Sequence, residues 1–214
     1  MRKCRHAIFD MDGTIIDSMP EWKNLGKHYL ARKGIKAPEN LNEIISAMSM
    51  TESAEFFRKG FGIRDSNEKI ISDINQLIED KYRHEIPLKA YVREYLSKLQ
   101  SDNVIMCVAT ATPVELAKAA LKRLEVLQYF AFVICCDEVG VGKSKPDIYY
   151  LALKRMGANI TETVVYEDAD YAMKTAKGAG FYTIGVYDEN TDKSKEEMQL
   201  FCDRYIESFR CLLG

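Results

Sequence analysis

Five short apolar runs, separated by segments with helical character, constrain the fold of this chain more than any other feature of its sequence. They lie at residues 4–9, 104–109, 132–136, 163–166 and 182–187, and they lack the alternation of apolar and polar residues that a half-exposed strand shows. Unalternated strands connected by helices indicate a parallel sheet that is covered on both faces. We therefore predict an α/β fold in which a parallel sheet lies between two layers of helices.

Two helices between these strands are predicted by specific residues. Thr112, Pro113 and Glu115 have the spacing of a capping box with proline at the first helical position, so a helix is expected to begin there. Another helix is expected to begin near Pro146 and to end at Gly157, because glycine commonly follows the last helical residue. Both helices would connect parallel strands.

The connection between the first and second strands is much longer than a single crossover helix requires. Residues 18–88 have only helical patterns, broken at glycines. We predict that residues 18–88 form an all-helical cap domain, inserted into a core domain made of residues 1–17 and 89–214. Its joints are expected around Pro20 and Pro87, a position suited to opening and closing over a site.

Composition and charge exclude several classes of protein. The chain has 30 Lys and Arg against 32 Asp and Glu, and the resulting net charge of −2 argues against nucleic-acid binding. Its apolar runs fall short of the roughly 18 to 20 residues of a membrane-spanning helix, so no membrane association is expected. The six cysteines lack metal-binding spacing and are expected to be reduced, buried thiols. The basic start reaches Asp10 too soon for a signal peptide, so an unprocessed, cytoplasmic chain is expected.

Polar residues follow three of the predicted strands at the point where each strand ends. Asp10 and Asp12 follow the first strand and face the same side if the chain there is extended. Thr110 follows the second strand, where free N–H groups at a helix N-terminus form an anion site. Glu167 and Asp168 follow the fourth strand. Because ligands bind outside the carboxyl ends of the strands in an open parallel sheet, these groups are expected to share one site.

Each pair of acids also has a plain structural interpretation. Asp10 and Asp12 could belong to a solvated Asp-Gly turn, and Glu167 and Asp168 could cap the next helix instead of holding a hard cation. Combined with the basic loop at residues 140–147, the set offers acids for magnesium, donors for a phosphate and a carboxylate nucleophile. This combination predicts phosphoryl transfer.

With these residues the sequence resembles the haloacid dehalogenase superfamily, in the branch with an inserted helical cap, and it is similar to β-phosphoglucomutase and phosphoglycolate phosphatase. Residues 9–18, Phe-Asp-Met-Asp-Gly-Thr-Ile-Ile-Asp-Ser, carry the most specific match, and residues 203–209 look like the last strand of the family. The resemblance extends over nearly the whole chain. It implies a Rossmann-like, three-layer core with an all-helical cap.

The resemblance also implies roles for the acidic residues. Asp10 is similar to the nucleophile that forms an aspartyl-phosphate intermediate, and Asp12 is similar to the general acid and base. By the same resemblance, the metal ligands for Mg²⁺ are Asp10, Glu167, Asp168 and the backbone carbonyl of Asp12.

The phosphate contacts implied by the resemblance come from Gly13, Thr110, the N–H of Ala111, and Lys143. Thr110 and Lys143 would also be catalytic, and Lys145 competes with Lys143 for the role of the lysine. The family often has Asn or Ser at the position of Ala111, so one side-chain contact is missing in this chain.

The predicted function is that of a magnesium-dependent phosphatase acting on a small phosphorylated metabolite, such as a sugar phosphate, as a monomer or weak homodimer. Asp12 favours phosphate esters, since the related dehalogenases and phosphonatases lack this second carboxylate. The first alternative is a β-phosphoglucomutase-like phosphomutase, although those enzymes commonly have a histidine five residues after Asp17, where this chain has Trp22. The second alternative is a non-catalytic protein that binds a phosphometabolite.

Overall fold

The computed structural model describes residues 4–45, 48–191 and 193–214. The strands in these ranges are β1 (His6–Phe9), β2 (Ile105–Thr110), β3 (Phe130–Cys135), β4 (Thr163–Glu167), β5 (Tyr182–Val186) and β6 (Arg204–Ile206). The helices are α1 (Met19–Arg32), α2 (Leu41–Ile45), α3 (Met50–Gly60), α4 (Asn67–His84), α5 (Val92–Ser101), α6 (Val114–Arg123), α7 (Asp147–Met156), α8 (Asp170–Gly178) and α9 (Lys195–Phe201).

The strands form one parallel sheet in the order β3-β2-β1-β4-β5-β6. β1 lies inside the sheet, and Phe9 at its end is opposite Val108 of β2 and Tyr166 of β4. Residues that follow β1, β2 and β4 therefore emerge at the same edge of the sheet. The predicted α/β fold with a parallel sheet is confirmed.

Helices cover both faces of the sheet. Phe9 lies in an apolar core with Leu96 of α5 and Leu121 of α6. Its neighbour Ile8 lies in a second core, which includes Ile148 of α7. The sheet is thus buried on both sides, which explains why its strands do not alternate between apolar and polar residues. The three-layer arrangement of the core is confirmed.

The helices α1–α4 lie between β1 and α5 in the chain and pack on one another. Their buried side chains include Tyr29 of α1, Phe57 of α3 and Ile74 of α4. α4 also packs on α6 of the core, where Arg123 Nε donates a hydrogen bond of 3.0 Å to the carbonyl of Tyr82. The regular elements in the described part of residues 18–88 are helices, while the domain limits given above stay a prediction.

The two connections between the helical insertion and the core run side by side. The amide of Asp17 donates to the carbonyl of Pro87 at 2.9 Å, and the amide of Lys89 donates to the carbonyl of Ile15 at 3.0 Å. Pro87 thus belongs to this pair of connections. Pro20 lies instead in the first turn of α1, where its missing N–H leaves no hydrogen bond unmade.

The capping box predicted at Thr112 is wrong, although a helix does begin nearby. The residue that precedes α6 is Pro113, and no side chain caps the helix. The Thr112 hydroxyl is used elsewhere, because it donates a hydrogen bond of 2.7 Å to Asp12 Oδ2. Both boundaries predicted for the other helix are confirmed, since α7 begins directly after Pro146 and ends before Gly157, which has a φ of 60°.

The cysteines are free thiols, and most of them pack as small apolar side chains. Cys107, Cys135, Cys136 and Cys202 are buried, whereas Cys211 is exposed. Across the described ranges, no helix has the length and apolar character needed to cross a membrane.

Candidate active site

A cavity of about 540 Å³ lies between the carboxyl ends of the strands and the helices α1–α4. Its base, which we name the acidic floor, consists of Asp10, Lys143, Glu167 and Asp168. Asp10 follows β1, and Glu167 ends the neighbouring strand β4. One carboxylate oxygen from each of the three acids lies within 4.8 Å of the others. The parallel register has therefore brought together residues that are more than 150 positions apart in the sequence.

Lys143 lies inside the acidic floor and bridges two of its carboxylates. Its Nζ donates hydrogen bonds to Asp10 Oδ1 and, at 2.7 Å, to Glu167 Oε1. The Lys143 side chain is only 4% exposed, whereas Lys145 is exposed. Tyr149 of α7 donates a further hydrogen bond of 2.7 Å to Glu167 Oε1. Of the two candidate lysines, the structure places Lys143 against the acids.

Burial dominates the electrostatics of the acidic floor. It raises the pKa of Asp10 well above the ordinary value, against the opposing effect of Lys143. Burial, together with the charge of Glu167, raises the pKa of Asp168 to about 7. Burial alone would lower the pKa of Lys143, but the Asp10 and Glu167 carboxylates outweigh it and raise that pKa above its ordinary value. The acids of the floor are therefore harder to ionise than free carboxyl groups, and one lysine can neutralise only one of the three.

This arrangement fits a hard divalent cation such as Mg²⁺. Asp10, Glu167 and Asp168 provide buried carboxylate oxygens, which are the ligand type that Mg²⁺ prefers. The alternative that Glu167 and Asp168 cap the next helix is wrong, because the residue that precedes α8 is Ala169 and no side chain caps that helix. The Asp12 carboxylate is not part of this cluster, and the role of its backbone carbonyl as a metal ligand stays a prediction.

The Asp12 carboxylate is instead surrounded by hydrogen-bond donors from both the core and the helical insertion. Its Oδ1 accepts from Ser18 at 2.7 Å, from Trp22 Nε1 at 3.2 Å and from the hydroxyl of Tyr82. Its Oδ2 accepts from Thr112 at 2.7 Å and from Thr110 at 3.3 Å. Trp22 Nε1 also lies 2.6 Å from the Tyr82 hydroxyl.

Among these donors, Tyr82, Thr112 and Ser18 were missed by the sequence analysis. Tyr82 occupies one position of the apolar stripe of α4, so its spacing indicates only a core residue. Ser18 is six residues from Asp12 and is the last residue of the segment 9–18 that carries the family match, so the sequence did indicate a position near the site. Trp22 of α1 lies at a contact between the helical insertion and the core, where its Nε1 donates to Asp12.

Gly13 and Thr14 lie directly against the carboxylate of Asp168. Gly13 has a φ of 80°, and a Cβ atom at this position would collide with the Asp168 carboxylate. Thr14 Oγ1 donates a hydrogen bond of 3.2 Å to Asp168 Oδ1. A glycine is therefore required between the acids of the first motif and the threonine that positions Asp168.

The predicted phosphate contacts after β2 lie beside Asp12. Thr110 is buried, and its hydroxyl accepts a hydrogen bond of 3.0 Å from the amide of Thr112. Ala111 lines the cavity. The structure thus places both residues at the site, while their binding of a phosphate stays a prediction, as does that of Gly13.

A second contact joins the helical insertion to the loop that carries Lys143. Glu52 Oε2 accepts a hydrogen bond of 2.7 Å from the amide of Ser49, which completes a capping box at the start of α3. The same oxygen accepts a hydrogen bond of 3.0 Å from the amide of Gly142, the residue before Lys143. The sequence shows the capping pattern at Ser49 but not the partner in the core.

Fold and site define a class of protein, in which a helical insertion covers an acidic cluster at the strand ends of a three-layer α/β core. Residues 7–186 match the family model described as haloacid dehalogenase-like hydrolase. The chain belongs to this family, and it is an enzyme of the haloacid dehalogenase superfamily. The resemblance found in the sequence is therefore confirmed.

Named relatives agree with this assignment. The chain is 30% identical to the fructose-1-phosphate phosphatase YqaB of Escherichia coli over 84% of this chain and 94% of the relative. It is 29% identical to a phosphorylated carbohydrates phosphatase of Thermotoga maritima over 83% of this chain and 82% of the relative. A β-phosphoglucomutase structure from Clostridium difficile has a TM-score of 0.82, covers 98% of this chain and 93% of its own, and is 18% identical, a likeness that concerns the fold alone.

Proposed function

We propose that this protein is a magnesium-dependent phosphatase that hydrolyses a small phosphorylated metabolite through an aspartyl-phosphate intermediate. The observation that carries the proposal is the arrangement of two carboxylates on one cavity. Asp10 is buried and hydrogen-bonded to Lys143, and Asp12, two residues later, reaches the same cavity with a different set of partners. Relatives named as phosphatases of fructose 1-phosphate and of phosphorylated carbohydrates support the choice of a phosphate ester.

In the first step, a carboxylate oxygen of Asp10 attacks the phosphorus of the ester. The bond between phosphorus and the organic oxygen breaks, and the carboxyl group of Asp12 gives its proton to the departing oxygen. The products of this step are a free alcohol and a phosphate group bound to Asp10. Lys143, which donates to Asp10, would neutralise charge on the phosphoryl oxygens as they approach.

In the second step, water attacks the same phosphorus. The Asp12 carboxylate takes a proton from this water, the bond between Asp10 and phosphorus breaks, and inorganic phosphate leaves. The donors around Asp12, which include Thr112 and Ser18, hold its carboxylate in position to accept this proton. Asp10 and Asp12 thereby return to their starting states.

Mg²⁺ would be held by Asp10, Glu167 and Asp168, where it would supply positive charge for the phosphoryl oxygens. When these three buried acids are ionised, a single lysine leaves two negative charges unbalanced, which supports a resident cation. Tyr149 and Lys143 hold Glu167 in position, and Thr14 holds Asp168. These contacts keep the ligands in place without the cation.

Water, rather than a sugar hydroxyl, is the proposed acceptor of the phosphoryl group. A phosphomutase must deliver a substrate hydroxyl to the phosphorylated aspartate. Trp22 occupies the position expected for a histidine in the mutases, and its Nε1 donates to Asp12 and cannot take up a proton. The phosphomutase is therefore the second candidate. The cytoplasmic location and the monomeric or weakly dimeric state stay predictions from the sequence.

The test is release of inorganic phosphate by the purified protein with Mg²⁺ from sugar phosphates, phosphoglycolate, nucleotides and an aryl phosphate. The Asp10→Asn variant serves as the blank. Release from natural esters above this blank supports the phosphatase. Release from no ester, together with conversion of β-glucose 1-phosphate in the presence of a bisphosphate primer, would replace it with the phosphomutase.

A further inference from the structure

The side of the cavity opposite the acidic floor has a different chemistry. The described side chains on this side come from α1–α4 and the segment between α2 and α3, and most of them are apolar. We name six of them the apolar roof: Leu25, Ile45, Met48, Met50, Phe57 and Ile74. Leu25, Met50, Phe57 and Ile74 are buried, and Ile45 and Met48 are half-buried. The organic part of a substrate held by its phosphate on the floor would face this roof.

The polar groups near the roof are largely occupied by partners within the protein. Trp22 Nε1 and the Tyr82 hydroxyl are used on Asp12 and on each other. The amide group of Asn42 donates to the carbonyl of Lys23. Ser53 adds one buried hydroxyl to this wall. Lys23 and Glu43 also line the cavity, but both side chains are exposed, and Asn190, Thr191 and Lys193 line it from the segment before α9, outside the roof. Among the buried side chains in the described part of the roof, few donors and acceptors are therefore available to a polyhydroxylated ligand.

A sugar enclosed by this roof would bury hydroxyl groups that lose water without gaining a partner. Each such group weakens binding on the order of 10-fold. An alkyl or aryl group in the same place loses nothing and gains from removal of its apolar surface from water. The flexible side chains of Met48 and Met50 adapt readily to apolar groups of different shapes.

We propose that the cavity takes a phosphate monoester whose organic part is mainly apolar, rather than a polyhydroxylated sugar phosphate. This inference rests on the proposed phosphatase activity, and it specifies the substrate of the same site. The acidic floor would bind the phosphate, and the apolar roof would select the alcohol. The cavity volume of about 540 Å³ is in the range of small-molecule sites, so the cavity has room for such a group.

The test compares n-hexyl phosphate, below its micelle concentration, with sorbitol 6-phosphate. Both are primary phosphate esters with six carbons, and they differ in the hydroxyl groups that would face the roof. The polyol is the better leaving group, so intrinsic reactivity opposes the expected result. We expect kcat/KM to be at least about 10-fold higher for the hexyl ester. Equal values, or a preference for the sorbitol ester, would overturn the proposal.

A matched set of variants connects the preference to the roof. Met48→Gln adds an amide in nearly the same volume and should reduce the preference for the hexyl ester several-fold, since it desolvates a polar group against an alkyl chain. Met48→Leu keeps an apolar side chain and should retain the preference. Leu200→Gln makes a similar polar change at a residue on α9 that is 74% exposed, and should not alter the ratio. An unchanged ratio in Met48→Gln would count against the roof as the selecting surface.

The two proposals fail in different ways. Turnover of the sorbitol ester that exceeds that of the hexyl ester, and that is lost in Asp10→Asn, would refute the apolar substrate and retain the phosphatase. Absence of turnover for both esters and for every other phosphate ester would refute the phosphatase, and the substrate inference with it.

Discussion

The acidic floor and the apolar roof of the cavity differ in both chemistry and origin. The floor is built from acidic residues at the strand ends and from Lys143 of the loop before α7, which contacts Asp10 and Glu167. The roof is built from apolar helical side chains such as Met48 and Phe57. The floor is therefore equipped for chemistry and the roof for selection of the organic group. Asp12 is the point where the two meet, because it follows β1 and accepts hydrogen bonds from residues of α1 and α4.

The largest effect is expected from the floor. Asp10→Asn should lower kcat by about 10⁴-fold or more, because the amide cannot act as the covalent nucleophile. Steady-state phosphate release measures the loss, and circular dichroism checks that the variant is folded. Activity within about 10-fold of the wild type would remove Asp10 from this role.

Removal of divalent cations should reduce turnover to the level of the Asp10→Asn blank. Phosphate release after exhaustive chelation, and again after addition of Mg²⁺, measures this effect. Full activity without cations would show that the acids of the floor do not act as ligands of a catalytic cation.

The metal-free protein should also become less stable as the pH rises. The pKa of Asp168 is raised from 3.8 to about 7 in the folded state, so between these values the folded protein binds more protons than the unfolded chain. The free energy of unfolding should therefore fall over this range. Bound Mg²⁺ should offset the loss, so thermal unfolding should show a larger gain from Mg²⁺ at pH 7.5 than at pH 5. An equal gain at both pH values would contradict the assignment.

A smaller and more selective effect is expected at Asp12. Asp12→Asn should reduce turnover of alkyl phosphates by about 10²-fold or more, because a poor leaving group needs its proton. An aryl phosphate with a good leaving group should lose much less. Measurement of kcat for both substrate types tests this difference, and equal losses would argue against Asp12 as the general acid.

The contact between roof and floor is tested by Tyr82→Phe. This change removes one donor to Asp12 Oδ1 and should lower kcat for an alkyl ester by roughly 10-fold with little change in KM, since Trp22 remains in place. Tyr29→Phe is the matched control, because the structure gives the buried hydroxyl of Tyr29 no hydrogen-bond partner among the described residues. If both variants lose activity equally, then packing rather than the position of Asp12 explains the effect.

The smallest effect is expected at Glu52, whose carboxylate joins α3 to the loop before Lys143. Glu52→Ala should lower the free energy of unfolding by about 1 kcal/mol and kcat by a few-fold. Glu197→Ala removes the equivalent acid from the capping box of α9, which begins after Ser194. This control should lose similar stability and no activity. If both variants lose activity, then the loss follows from reduced stability, and the contact between Glu52 and the Lys143 loop does not contribute to catalysis.

The parallel sheet, the helical insertion and the acidic residues of the floor were predictable because each depends on local sequence, whereas the order of the strands in the sheet came from the structure. Strands buried on both faces require continuous apolar runs, and the sheet then carries Asp10, Glu167 and Asp168 to one edge whatever the details of packing. The resemblance favoured Lys143 over Lys145, which lies in the same basic loop, and the structure supports that choice because it buries Lys143 against the acids and leaves Lys145 exposed. The capping box predicted at Thr112 was wrong because the hydroxyl of a residue near a helix start can donate to a carboxylate that is distant in the sequence, here that of Asp12.

The sequence by itself thus determined the α/β framework and the chemical character of the acidic floor. Only the tertiary structure decided that Tyr82 and Thr112, which are 70 and 100 positions from Asp12, donate to its carboxylate. It also decided that the apolar stripes of α1, α3 and α4 contribute to a roof over the floor, in addition to packing on one another. The physical reason is that helical periodicity indicates which residues avoid water, whereas the partner that covers them depends on how the helices pack.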